Sequence, residues 1–287
     1  MRFLHFIQNG IRGIAVNDPA DAETGFRGFT TEDQHFPGFL DDLLRAEADL
    51  QDVQRILRGG RTIDLGNIVF LPPILRPSKI VCVGLNYADH VRETNLKAPD
   101  YPELFARFST SLTGHEAPLL RPRESTQLDF ESELAFVIGR RGRRIAHANA
   151  LDHVAGYSIF NDATLRDFQF RTPQWTVGKN FDSTGACGPW MVTPEDLPPG
   201  ASGLAITGRL NGEVMQSSNT GMLIFDVAKL IELVSAVMTL EAGDIFITGT
   251  PGGVGLGRSP KVYMSPGDRF EVEIESIGTL ANTIVED

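Results

Sequence analysis

The chain has 287 residues, 41% hydrophobic and 22% charged, which excludes a disordered, collagen-like or coiled-coil protein and leaves ample length for a buried core. Lys plus Arg number 26 against 37 Asp plus Glu, and a net charge of −11 works against binding a phosphate backbone, so no nucleic-acid partner is expected. The first twenty residues carry no secretory pattern, no apolar run approaches a membrane span, and the only cysteines, Cys82 and Cys187, make no disulfide framework; the expected home is a reducing cytoplasm, with no membrane partner.

In chain order, FLHFIQNGIRGIAV has strand character interrupted by Asn9-Gly10, the signature of a two-residue hairpin. GFLDDLLRAEADLQDVQRIL then sets Phe39, Leu40, Leu43, Leu44, Leu50, Val53 and Leu57 near helical spacing, which predicts helical segments packed on that hairpin. The proline-rich stretch LPPILRPSK at 71–79 marks a boundary, dividing the chain into a small module at 1–72 and a larger domain at 73–287. Beyond it, KIVCVG reads as a short buried strand ending at Gly84, and LNYADHVRETN as a loop entering a short helix. From ESELAFVIG onward, short apolar runs alternate with Gly, Pro and Asn turns, as in VAGYSIFND, AITGRLNGEVM and GDRFEVEIESIG. One helix interrupts them, with Leu223, Ile224, Val227, Leu230, Ile231, Val234, Val237 and Met238 as its apolar stripe. The expected class is α+β, mainly β.

The chemistry concentrates in few places. In QLDFESELAFVIG, Glu131 and Glu133 lie two apart, on one face of a strand, with Asp129 beside them. A plain solvent face is the alternative, as in FEVEIE, where Glu271 and Glu273 alternate with Phe270, Val272 and Ile274. The near-continuous apolar run that follows Glu133 predicts instead that both faces become buried, and buried acids need a cation. Asp162, at the end of GYSIFND, is either a third ligand or the cap of the next helix. Oxygen-only donors suit a hard ion, Mg²⁺ or Mn²⁺, better than zinc. His90 and Glu93, three apart, are either an incidental surface pair or an imidazole oriented to deprotonate water. Lys179, flanked by Gly178 and apolar residues, is either a surface lysine or a partly buried charge for an anionic substrate. The loop TGTPGGVGLG at 248–257 lacks the Gly-Lys-Ser/Thr ending of a phosphate loop, and its amides suit a small carboxylate substrate better than a nucleotide. The basic cluster RRGRR at 140–144 reads as a solvated turn.

Taken together and in this order, VGLNYADHVRE, DFESELAFVIG, GYSIFNDATLRDFQ, QWTVGKNFD, LNGEVMQ, LEAGDIFITGTPGGVG and GDRFEVEIESIG resemble the fumarylacetoacetate hydrolase family, over about residues 75–285. Within it, the chain most resembles the bacterial acylpyruvase and diketo sugar-acid hydrolase type. The resemblance implies a mixed β-sandwich roll, a homodimer, and Mg²⁺ or Mn²⁺ held by Glu131, Glu133 and Asp162. It places the family's His–Glu pair on His90 and Glu93, its active-site lysine on Lys179, its glutamine on Gln169, and its substrate loop on Gly249 and Thr250. Where many members have Phe-x-Lys-Pro, this chain has Phe105-Ala106-Arg107-Phe108, so Arg107 is expected to bind the substrate carboxylate through a planar fork. The activity implied is hydrolysis of a carbon–carbon bond in a small 2,4-dioxo acid, such as an acylpyruvate or fumarylpyruvate, releasing pyruvate. The alternatives are oxaloacetate decarboxylation or hydroxydienedioate isomerisation at the same site, hydrolysis of a diketo-deoxy sugar acid, and a non-catalytic binding protein.

Overall fold

The computed structural model describes residues 1–17, 25–88 and 100–287. Strands Arg2–Gln8 and Ile11–Asn17 pair antiparallel across Asn9 and Gly10, whose φ angles of +53° and +81° are the left-handed pair that a two-residue hairpin requires. Strands Phe26–Thr30 and Arg61–Ile63 continue this sheet, and helices Leu40–Arg45 and Leu50–Arg58 bury Leu40, Leu44, Val53 and Leu57 in the cluster that holds Ile14 and Val16. Asp49 caps the second helix by accepting from the Gln51 amide at 2.8 Å.

Among the described residues, twelve strands form the main sheet, whose path runs Arg61–Ile63, Phe26–Thr30, Ile11–Asn17, Arg2–Gln8, Gly185–Val192, Val154–Asp162, Ser132–Ile138, Ile245–Ile247, Ile80–Gly84, Glu103–Arg107. The sheet crosses the expected boundary at residue 72, because Arg2–Gln8 pairs with Gly185–Val192. It also curls. Leu112–Thr113, just past the edge strand Glu103–Arg107, returns to pair with Gly185 and Ala186 in the middle of the path, which rolls the edge over the centre.

A second sheet runs Glu213–Asn219, Ala205–Leu210, Arg269–Ile274, Gly278–Glu286, Leu119–Arg121. Its Ile206, Phe270, Val272 and Leu280 share one core with Leu134, Phe136 and Ile138 of the main sheet, and Phe130 stacks on Phe270 at 4.7 Å. The expected helix forms as Val227–Val237 and buries Leu230, Ile231 and Val234 in that core. It starts later than the apolar stripe because Asp226 caps it, accepting from the Lys229 amide at 2.8 Å. The two Ile/Val-rich sheets with few helices make the chain α+β, mainly β. No helix among the described residues is long and apolar enough to cross a membrane.

Candidate metal and substrate site

Every residue of strand Ser132–Ile138 is buried, so Glu133 cannot lie on a solvent face. Pairing of Ser132 with Asn161 and of Glu133 with Phe160, together with the Asp162 amide donating to the Glu131 carbonyl at 2.9 Å, brings the ends of two strands level. Their carboxylates meet there: ligand oxygens of Glu131, Glu133 and Asp162 lie within 4.8 Å of one another. Asp162 caps no helix, since the next one, Arg166–Gln169, begins after Leu165.

Three carboxylates in a space nearly closed to water are unstable without cations. Lys179, 2% exposed, donates to Glu131 at 2.8 Å and to Asp162 at 2.6 Å. Burial alone would lower the pKa of its ammonium, but Asp162 and Glu131 outweigh it and hold the pKa above the ordinary lysine value. Burial likewise works to raise the Glu131 pKa, and is outweighed by Lys179 and Arg166, which hold it low. For Glu133 the balance falls the other way: burial, followed by the charges of Asp162 and Glu131, outweighs Lys179 and the Gly249 amide and pushes it well above the carboxylate range. Counting Asp129, the buried cluster sets four carboxyl groups against Arg107, Arg166 and Lys179. An oxygen-only donor set with acid in excess fits a hard divalent ion.

The lysine arrives by close packing. A Cβ at Gly178 would lie 2.5 Å from the Gln169 amide nitrogen, so this glycine lets helices Arg166–Gln169 and Thr176–Lys179 touch and face Gln169 and Lys179 into one cavity. That cavity, of about 440 Å³, is also lined by Glu131, Glu133, Arg166 and Thr250.

Arg107 is placed otherwise than expected. Its guanidinium is buried, bonds Asp162, and donates to the Ala163 carbonyl at 2.6 Å and more weakly to Thr184 at 3.4 Å. It therefore stands behind the carboxylate cluster and orients Asp162, and it does not line the cavity that Lys179 faces; its fork is consumed by the protein. The glycine-rich loop needs a similar correction. The Gly249 amide donates to Glu133, and those of Gly255 and Leu256 donate to Asp129 at 2.7 and 2.9 Å, so these amides serve the protein's own carboxylates and not a substrate's. Thr250 donates to the Ser132 carbonyl at 3.1 Å and accepts from Gln216 at 2.8 Å. His90 and Glu93 lie outside the described residues.

Sequence reading passed over Arg166. It donates to Asp129 at 2.8 Å, Glu131 at 2.7 Å and Gln169 at 2.9 Å, and it lines the cavity. The available signal was its position three residues before Gln169, one turn away on the same face.

A sequence profile described as "Fumarylacetoacetate (FAA) hydrolase C-terminal" matches residues 79–285. The chain belongs to the fumarylacetoacetate hydrolase family. It is 43% identical to the bovine "Oxaloacetate tautomerase FAHD2A, mitochondrial" over 85% of this chain and 78% of that one, and 40% identical to the human protein of that name over the same shares. Among solved structures, a fumarylacetoacetate hydrolase from Exiguobacterium antarcticum superposes with a TM-score of 0.84 at 36% identity, covering all of both chains. A 5-carboxymethyl-2-hydroxymuconate delta-isomerase from Mycobacterium smegmatis gives 0.77 at 32%, covering all of this chain and 99% of that one.

Proposed function

We propose that this family member interconverts the keto and enol forms of a 2-oxo acid, with oxaloacetate as the reference substrate and Mg²⁺ or Mn²⁺ held by Glu131, Glu133 and Asp162. The observation that carries this reading is the buried Lys179 ammonium set against that carboxylate cluster on the wall of one cavity. Enolisation removes a proton from C3 and leaves negative charge on the 2-oxygen, so the site must hold positive charge where water is excluded. A divalent ion bound there supplies Lewis-acid stabilisation of that charge. Lys179 adds a fixed ammonium at the same wall. Arg166 spends three of its five N–H donors on Asp129, Glu131 and Gln169, which leaves two to orient a substrate carboxylate. Thr250, held by Gln216 and the Ser132 carbonyl, adds a fixed hydroxyl to the lining of the same cavity.

The activities named for the mammalian relatives and for the mycobacterial isomerase support proton transfer at an enol over hydrolysis. Hydrolysis of an acylpyruvate needs in addition a base for water, the role expected of His90 and Glu93. One experiment separates these readings: enol-oxaloacetate, oxaloacetate and acetylpyruvate are each followed by absorbance and proton NMR with Mg²⁺, with Mn²⁺ and with chelator. Faster enol–keto exchange that chelator abolishes is the expected result. Pyruvate with carbon dioxide from oxaloacetate would make the protein a decarboxylase, pyruvate with acetate from acetylpyruvate a hydrolase, and no turnover of any kind would overturn the enzymatic reading.

For assembly we infer a homodimer, supported by Tyr101 and Phe108, 50% and 56% exposed on either side of the sheet-edge strand Glu103–Arg107; a monomeric mass by light scattering would exclude it. The free, buried thiols of Cys82 and Cys187 suit a reducing compartment, the cytoplasm in our reading.

A further inference from the structure

Two kinds of side chain line the cavity. Glu131, Glu133, Lys179, Arg166 and Gln169 are the charged and polar part, and Val83, Leu85, Phe105, Phe170, Trp175 and Leu256 supply most of the remainder among the described residues. From this division we infer that the substrate is a 2-oxo acid whose C3 substituent is a flat apolar group, an aryl ring in the simplest case, rather than a second carboxylate. The inference rests on the 2-oxo acid reading above and names the class within it.

The apolar wall is constructed, and it adjoins the reacting end. The Phe105 ring centre lies 4.9 Å from the Lys179 ammonium, and Trp175 packs edge-on against Phe105 at 5.5 Å and 66°. Gly84 makes the room for that indole, since a Cβ there would stand 2.3 Å from Trp175 Cζ3. Phe170 carries the wall to the surface, where it remains 61% exposed. Such rings offer faces and edges to another ring, and a planar apolar group gains both the burial and the ring contact.

A second carboxylate fits this wall badly. It would lose its hydration against aromatic carbon, and a buried anion without a partner is disfavoured. Among the described residues, the cations at the cavity are Lys179, bonded to Glu131 and Asp162, and Arg166, whose two remaining donors go to the substrate's first carboxylate in the reading above; the third nearby cation, Arg107, is turned to Asp162, which leaves none of the three for a second carboxylate. A cavity of about 440 Å³ falls in the range that accepts ring-bearing ligands, which a four-carbon diacid leaves largely unfilled.

The test uses the full chain loaded with Mg²⁺. Enol–keto exchange is compared for phenylpyruvate and oxaloacetate. Binding is measured by calorimetry for benzoylformate and ketomalonate, 2-oxo acids that cannot enolise and differ in carrying an aryl group or a second carboxylate. We expect kcat/KM to favour phenylpyruvate by about tenfold or more, and Phe170→Ala and Trp175→Ala to shrink that ratio severalfold. Phe170 is exposed enough that its replacement leaves the fold intact, so failure of Trp175→Ala to fold would not remove the test. Equal rates, or a preference for oxaloacetate, would overturn the inference and leave the tautomerase reading standing. If neither acid exchanges faster, that reading falls, and the inference is then decided by binding: it survives if benzoylformate binds more tightly than ketomalonate and falls if it does not.

Discussion

Arg107 and Asp162 are bonded to each other inside the protein, the guanidinium Nε donating to Oδ1 while Oδ2 accepts from Lys179 at 2.6 Å. Both oxygens of one carboxylate are thus held from opposite sides, which fixes its plane. The arrangement needs a glycine at 185, where a Cβ would lie 2.7 Å from Arg107 Nη1, and it places the guanidinium 5.6 Å from the Phe160 ring centre.

Removing one member of a buried ion pair leaves the other uncompensated, so Arg107→Met is expected to cost about 3–5 kcal/mol. Arg107→Lys keeps the charge but loses the fork to Ala163, and should fall between Met and the native protein. Denaturant unfolding of the metal-free chain, with Mn²⁺ titration calorimetry on the same samples, measures both effects; a loss below about 1 kcal/mol for the Met variant would refute the positioning role of Arg107.

Glu131→Gln and Asp162→Asn each take a charge from the cluster whose oxygens lie within 4.8 Å. Both variants should bind Mg²⁺ or Mn²⁺ at least about a hundredfold more weakly and lose turnover with it. Unchanged calorimetric affinity in either one would mean that the ion, if bound, sits elsewhere.

His5 provides a pH dependence away from the site. It is fully buried and accepts from the Leu40 amide at 3.0 Å, and burial, partly offset by Asp41, lowers its pKa from 6.5 to about 4. A depressed histidine means that the unfolded chain binds the proton more readily. Its contribution is therefore complete above pH 6.5 and is lost as the pH falls toward 4, by at most about 3 kcal/mol. Melting temperature should therefore rise with pH between about 4 and 6.5, and this rise should flatten in His5→Gln; identical slopes would remove His5 as the cause.

Residues 1–72 carry four strands of the main sheet's path and two helices over its core. Their deletion uncovers the edge of Gly185–Val192 and the apolar cluster around Met191, so the remainder should aggregate or melt without cooperativity. A soluble, cooperatively melting fragment with native metal affinity would show that the boundary at 72 separates independent units.

Much of the fold was legible in the sequence because its signals are local. Asn9-Gly10 specifies its hairpin by backbone conformation alone, and the stripe from Val227 to Val237 specifies which face of the helix is buried. Glu131 and Glu133 were legible as a pair because strand period puts them on one face, and the apolar run after them announced burial. Arg107 was misread because a charge in a motif looks the same whether it faces a substrate or a neighbouring carboxylate. The Gly249, Gly255 and Leu256 amides of the glycine-rich loop were misread for a related reason: composition shows that amides are exposed to some acceptor, not which one.

The sequence by itself determined the family, the mainly β class, the helix and hairpin positions, and the residues from which an ion site is drawn. Only the tertiary structure decided which of those residues meet. Asp162 reaches Glu131 through strand register, and Arg107 reaches Asp162 because Leu112–Thr113 curls the sheet edge back onto Gly185. Local periodicity records whether a side chain is buried; the partner it is buried against depends on pairings between segments far apart in the chain, set by the packing of the whole core.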